Sequence, residues 1–252
     1  MAKPYVIAIE EHYADPRITA AGPPAVPSAG LPGIQPRLVD LGEVRLQEMD
    51  AAGIDFQVIS HAPSPLQQLN AETAVELAIA TNNRLKEAID AHPDRFGGFA
   101  SLPTPDPASA ADELERCVSE LGFKGAIIHG RTGDLYHDDK RFWPIFERAQ
   151  RLDVPIYLHP GPPHPAMAQA FYGDLVSRFP WLNSAAWGFT IDTANQAIRL
   201  ILSGVFEAYP ELKVILGHQG EGLPFLVDRI DEALNRGPEK VAFKQTFCRN
   251  FY

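Results

Sequence analysis

Short β-rich runs and longer helical patterns alternate six times along this chain, and that alternation limits the folds open to it. The runs are Tyr5–Ile9, Phe56–Ser60, Phe96–Leu102, Gly125–Ile128, Val154–Leu158 and Lys213–Leu216. Between them the apolar spacing changes to the period of a helix. Glu43–Ala52 carries Val44, Leu46 and Met49; Ala71–Ala91 carries Val75, Ala78, Leu85 and Ile89. Ala108–Leu121, Lys140–Leu152, Thr190–Ser203 and Gly222–Asn235 complete the series, with Val205–Tyr209 as a short extra turn. Gly53 and Gly122 stand where helices stop. An unbroken β-then-α series calls for parallel strands joined by right-handed crossovers. The fold class is therefore α/β. An open doubly wound sheet would carry a glycine-rich phosphate turn after its first strand, and no G-x-G-x-x-G or Walker pattern occurs here. The remaining architecture is a TIM (β/α)8-type barrel, of which about six units are present. No linker or shift in composition divides residues 1–252, so a single domain is expected. The segment Asp15–Arg37 holds six prolines and reads as a long loop over a surface or an entrance. A second irregular stretch, rich in Pro, Trp and Phe, follows the fifth run.

The formal charge is -10 and no run of basic residues appears, which argues against a nucleic-acid partner. The two cysteines, Cys117 and Cys248, suggest neither a disulfide framework nor a zinc cluster, and fit a reducing, cytoplasmic location. The opening MAKPYVIAIEEH meets two acids too soon for a signal peptide. No apolar stretch is long enough to span a membrane. The expected partner is a small molecule.

Five of the eight histidines fall at or just past the end of a predicted strand: His12, His61, His129, His159 and His218. In a barrel those ends open on one mouth, where chemistry is placed. Of the others, His92 reads as a helix-end residue and His137 as solvent-facing; His164 lies in a loop. Glu10 and His12 are two apart on one strand, so both face the same way while Glu11 faces the other. A carboxylate and an imidazole on one strand end form two legs of a metal site, or merely a solvated strand end. His159 closes the apolar run Val154–Leu158. It is either a hydrogen-bonded core histidine or, with Glu10 and His12, a third ligand. Two histidines and a carboxylate suit Zn²⁺ and also Mn²⁺, and no motif asks for an organic cofactor. His218 ends the sixth run, with Glu221 three residues on. That carboxylate either orients the imidazole or favours a helix N-terminus electrostatically. Phe171, Tyr172, Trp181, Trp187 and Phe189 either wall a pocket for a planar substrate or pack a long loop.

Several stretches carry a resemblance over essentially the whole chain. They are Ala8–His12, Met49–Ile54, Pro93–Phe96, Leu121–Ala126, Val154–Pro160, and Ile215–His218 followed by Gly220–Pro224. Together they resemble the amidohydrolase-related family of the amidohydrolase superfamily. Within it the chain looks closest to the metal-dependent aromatic acid decarboxylases, such as those acting on γ-resorcylate, 2,3-dihydroxybenzoate and 5-carboxyvanillate. The resemblance implies that Glu10, His12 and His159 bind one divalent ion: zinc, manganese or magnesium. It implies that His218 lies beside metal and substrate with Glu221 as its partner, and that Arg229 helps hold the substrate, in some relatives across a subunit interface. His129 and Trp187 join the substrate side of this expected site. Relatives tend to form dimers or tetramers. The chain departs from the family in one respect. A further ligand, an aspartate after the eighth strand, has no match here, because the sequence stops at Arg249–Tyr252, where relatives open their seventh strand. The expectation is a C-terminally truncated barrel, with activity belonging to the full-length parent. The implied function is non-oxidative decarboxylation of a hydroxylated aromatic or related unsaturated acid. Metal-dependent hydrolysis of an ester, lactone or amide is the alternative, and a non-catalytic binding barrel the third reading.

Overall fold

The computed structural model describes residues 3–21, 33–63 and 65–252. Its strands are β1 (Ile7–Tyr13), β2 (Phe56–His61), β3 (Phe96–Gly98), β4 (Ala100–Ser101), β5 (Ala126–His129), β6 (Ile156–His159) and β7 (Val214–Leu216). They pair in parallel, with helices between them, as the α/β reading requires. The chain divides into two compact units, Met1–Ile127 and Ile128–Tyr252. No described helix is long and apolar enough to cross a membrane.

In the first unit β1, β2 and β3 form a sheet in that order, and β4 pairs with the start of β5. The third predicted strand is therefore two. The Phe99 N–H still bonds to Ile59 O at 2.9 Å, whereas the Ala100 N–H bonds to Gly125 O at 2.9 Å, so the chain changes partner within one residue. Helix Glu43–Ala52 falls where its apolar spacing puts it, and Gly53 ends it in the left-handed conformation at φ 73°. Its buried face, however, is Arg45 and Met49, one turn apart, while Val44 is 44% exposed. Helix Ala71–Ala91 opens on an Asn70 side chain that accepts from the Thr73 N–H. Ala74, Ala78 and Leu85 are fully buried along it. Asn82, also buried, donates to Ser101 O at 3.0 Å and accepts from the Ser101 N–H at 2.9 Å, which fastens the helix to β4. A buried side chain so paired avoids the cost of about 1–3 kcal/mol that an unsatisfied polar group carries.

The prolines of Asp15–Arg37 do not make one continuous loop. Helices Pro16–Ala21 and Ile34–Val39 stand at its two ends, and residues 22–32 lie outside the described residues. Proline is tolerated in the first turn of a helix, where its missing N–H costs nothing.

In the second unit the end of β5, then β6 and β7, run side by side, with Ile156, Tyr157 and Leu158 paired to Val214, Ile215 and Leu216. The stretch after β6 is helical rather than irregular. It forms Pro165–Tyr172, Leu175–Arg178 and a short 3₁₀ turn at Pro180–Asn183 before helix Gly188–Ser203. His164 caps the first of these by accepting from the Ala166 N–H at 3.1 Å. Gly188 is obligatory: a Cβ there would stand 2.4 Å from the backbone of Asn183. After helix Phe243–Asn250, Phe251 comes alongside Val214 in parallel, where the family resemblance opens a further strand.

Candidate active site

Strand β1 runs on past its predicted end at Ile9 to Tyr13, because neighbours satisfy its polar residues. Glu11 accepts from Gln57 Nε2 at 3.2 Å. Burial raises the Glu11 carboxyl above its usual range, while the nearby Arg45 guanidinium pulls it back down. On the opposite side His12 Nδ1 lies 2.9 Å from Ser60 Oγ, whose hydroxyl points to Glu11 O at 3.4 Å. That chain of donors puts the His12 proton on Nδ1 and the lone pair on Nε2. Glu11 and His12 thus face opposite ways, as strand alternation requires. The register nonetheless slips between Ala8 and Glu11, a bulge that alternation counted from Ile7 does not carry through. Bulges re-aim side chains next to sites, and this one falls at Ile9–Glu10.

Arg45, which sequence reasoning passes over, fixes this strand end. It is 8% exposed, donates through Nη2 to His12 O at 2.7 Å and through Nε to Asp40 O at 3.1 Å, and reaches Gln57 Oε1 at 3.3 Å. A signal for it exists: Arg45 and Met49 are four apart and share a helix face.

In the second unit His129 ends β5, His159 ends β6 and His218 follows β7. Their rings form a row, His129 to His159 at 4.9 Å and His159 to His218 at 5.2 Å between centroids. One ring nitrogen of His159 and one of His218 lie within 4.8 Å of each other. His159 is 4% exposed and its Nδ1 sits 2.8 Å from Pro160 O, an acceptor only, so Nδ1 carries the proton and Nε2 is the nitrogen able to act as a ligand. The loops after β5 and β6 cross at two glycines. A Cβ on Gly161 would lie 2.7 Å from Gly130 Cα, so only glycine lets the row close up.

His218 donates from Nδ1 to Glu221 Oε1 at 2.8 Å, and the Thr190 hydroxyl donates to Glu221 Oε2 at 2.8 Å. Of the two roles the sequence leaves open, Glu221 takes that of imidazole partner. Phe189 stands edge-on to the His218 ring at 5.8 Å. Trp187 is half exposed just before helix Gly188–Ser203, and Arg229 is exposed on helix Val227–Leu234.

Two histidines have other work. His61 accepts from the Asp15 N–H through Nε2 at 2.8 Å and bonds Ala62 O through Nδ1 at 2.6 Å. Both nitrogens are spent, and burial lowers its pKa, so it is a neutral joint between β2 and the β1 loop. His137 is not solvent-facing: it is 2% exposed, lies 3.0 Å from Thr132 Oγ1, and burial lowers its pKa to about 4. The packing of Phe142 against its ring keeps water out. His92 closes helix Ala71–Ala91, as expected.

Asp192 is a buried carboxylate near this row, 1% exposed, taking hydrogen bonds from Tyr136 Oη at 2.7 Å and Gln196 Nε2 at 3.0 Å. Burial outweighs those donors and pushes its carboxyl up to about 6 from 3.8. The folded state therefore holds this proton more tightly than the unfolded chain. The resulting stability is complete below the unfolded value and is lost as pH rises through about 6. Asp192→Asn is expected to flatten the fall in unfolding free energy between about pH 4 and pH 7 by about 2–3 kcal/mol relative to the parent. Parallel urea titrations across that range measure the difference.

The donors in each unit suit a divalent ion. Neutral imidazoles that present Nε2 while Nδ1 donates a hydrogen bond are the usual form of a metal-binding histidine, and His12, His159 and His218 each have that form. The amidohydrolase family model matches residues 25–237. A γ-resorcylate decarboxylase of Polaromonas sp. strain JS666 is 40% identical over 98% of this chain and 78% of its own length. Among solved structures, a dihydroxybenzoic acid decarboxylase from the same strain, with bound manganese and the inhibitor 2-nitroresorcinol, superposes with a TM-score of 0.88. It is 39% identical, over 99% of this chain and 78% of that one. A 2,6-dihydroxybenzoate decarboxylase complexed with 2,6-dihydroxybenzoate gives 0.87 at 36% identity, over 99% and 79%. The chain belongs to the amidohydrolase family, in its branch of metal-dependent aromatic acid decarboxylases.

Proposed function

We propose that this protein is a non-oxidative carboxy-lyase that removes carbon dioxide from a hydroxylated aromatic acid, with one divalent ion held by Glu10, His12 and His159. Three of the strand-end histidines, His12, His159 and His218, carry the reading: each has its Nδ1 fixed by an oxygen, so each presents Nε2. Manganese in the Polaromonas relative makes that ion the first to test, with zinc and magnesium after it. When bound, the ion supplies a template for the substrate carboxylate and the neighbouring hydroxyl, and stabilises charge that develops on them.

The chain's own residues do the rest. Ser60 and Pro160 O hold two imidazoles in one tautomer. Glu221 holds the Nδ1 proton of His218, which leaves Nε2 to hold or move a proton at the substrate ring. A proton added to the ring carbon that bears the carboxylate lets the bond to that carboxylate break. Carbon dioxide leaves and the electron pair returns to the ring. In this reading His129, Trp187 and Arg229 serve the substrate side, the last to meet the carboxylate as a cation. Phe225 is 90% exposed, and Leu226 and Trp187 are exposed as well, which supports a homo-oligomer, a dimer or tetramer that covers them. The free thiols of Cys117 and Cys248 support a cytoplasmic location.

The test loads the protein with manganese and incubates it with 2,6-dihydroxybenzoate, 2,3-dihydroxybenzoate and 5-carboxyvanillate. Release of carbon dioxide with the matching phenol supports the reading. Silence across the panel, together with hydrolysis of a lactone or ester, assigns the hydrolase alternative instead.

A further inference from the structure

The turn after β7 is strained at the point where the chemistry needs it still. His218, Gln219, Gly220 and Glu221 all have positive φ, at 49°, 57°, 73° and 52°. Glu221 combines φ 52° with ψ -126°, a region that belongs to glycine. A non-glycine residue stays there only where its surroundings over-determine it. The His218–Glu221 hydrogen bond cannot supply that restraint alone, because both partners ride on the same strained turn. The restraint from outside is Thr190. It sits in the first turn of helix Gly188–Ser203 and donates to the Glu221 oxygen that His218 does not use. A further contact steadies this start of the helix: the adjacent Phe189 stands edge-on to the His218 ring. The Gly188–Asn183 approach anchors the start of that helix.

We propose that Thr190 is a positioning residue for the reaction: its hydroxyl aims the Glu221 carboxylate, which in turn sets the tautomer and direction of the His218 imidazole. With one oxygen of Glu221 committed to Thr190, the other faces His218 Nδ1. Glu221 is then a charged acceptor fixed at both ends, and the imidazole presents Nε2 at a constant angle. The proposal rests on the reading of His218 as the proton-handling residue, and its test separates the two.

Thr190→Val keeps the shape and removes the donor; Thr190→Ser keeps the donor and loses a methyl. Outer partners of this kind typically account for about 10–100-fold in activity. The valine variant of the manganese-loaded protein is expected to lose about that factor in kcat with KM and metal content unchanged, and the serine variant to recover to within a few-fold. Nitrogen-15 spectra of the ring, taken on the zinc-loaded protein because manganese is paramagnetic, read the geometry without activity. The parent and the serine variant are expected to show His218 protonated at Nδ1, and the valine variant a mixture of tautomers. Unchanged His218 nitrogen shifts in the valine variant, with kcat within about twofold of the parent, overturn the role of Thr190 and leave the decarboxylase reading standing. A parent protein that decarboxylates nothing, but whose His218 tautomer still depends on the Thr190 hydroxyl, sinks the reaction and keeps the positioning. Equal loss in both variants, with matching falls in melting temperature, assigns Thr190 a purely structural part and overturns the proposal.

Discussion

Replacing His159 by alanine is expected to drop the bound divalent ion from near one per chain to less than about a tenth, and to cut decarboxylation of 2,6-dihydroxybenzoate by about a thousandfold or more. The factor follows from the several kcal/mol of charge stabilisation that a metal contributes, at about 1.4 kcal/mol per tenfold in rate. His159 is the residue for this test because its surroundings settle its tautomer. It is 4% exposed, with Nδ1 tied to Pro160 O at 2.8 Å, so the lone pair sits on Nε2. The informative control is His61→Ala. That histidine is equally buried at a strand end, but both its nitrogens are bound within the first unit. Its loss is expected to lower the melting temperature while metal content stays near one. Elemental analysis and a rate assay on the two variants read the contrast.

His218→Asn is expected to retain the ion and to lose about 10²–10⁴ in kcat, the usual contribution of a positioned acid–base group. The reason lies in what the asparagine keeps. Its amide still reaches toward Glu221, so the turn is held, but no titrating nitrogen faces the substrate. The side chain of His218 is 37% exposed, against 15% for Glu221, which suits a ring that meets a ligand from solvent while its partner is shielded. Single-turnover rates together with metal content check this variant. A loss of metal equal to the loss of rate would move His218 from proton handling to ion binding.

Those two variants draw on residues that periodicity alone marks. The strand-end histidines are legible because two sequence periods alternate so regularly that strand ends can be counted. Stops such as Gly53, whose φ of 73° suits glycine, separate one unit of the alternation from the next. What stays hidden depends on contacts between distant residues. The bulge at Ile9–Glu10 is set by how β1 pairs with β2, and no local pattern announces it. Thr190 and Glu221 are 31 positions apart, and nothing in either neighbourhood points to the other. His137 reads as polar loop, yet Thr132 and Phe142 enclose it. The helices between Pro165 and Asn183 are short, and two of the three carry prolines at their starts, which look like breakers until their position in the first turn is known. Arg45 reads as a surface charge because a buried arginine is uncommon; here its guanidinium is used up by backbone carbonyls of β1 and of the loop before its own helix.

Glu10, His12 and His159 are proposed to share one cation. Anomalous diffraction from crystals of the protein grown with manganese tests it most directly. The expected result is a single strong peak at the manganese edge, bonded to the carboxylate of Glu10 and to Nε2 of His12 and His159. A peak bound by other side chains, or none at millimolar manganese, would contradict it.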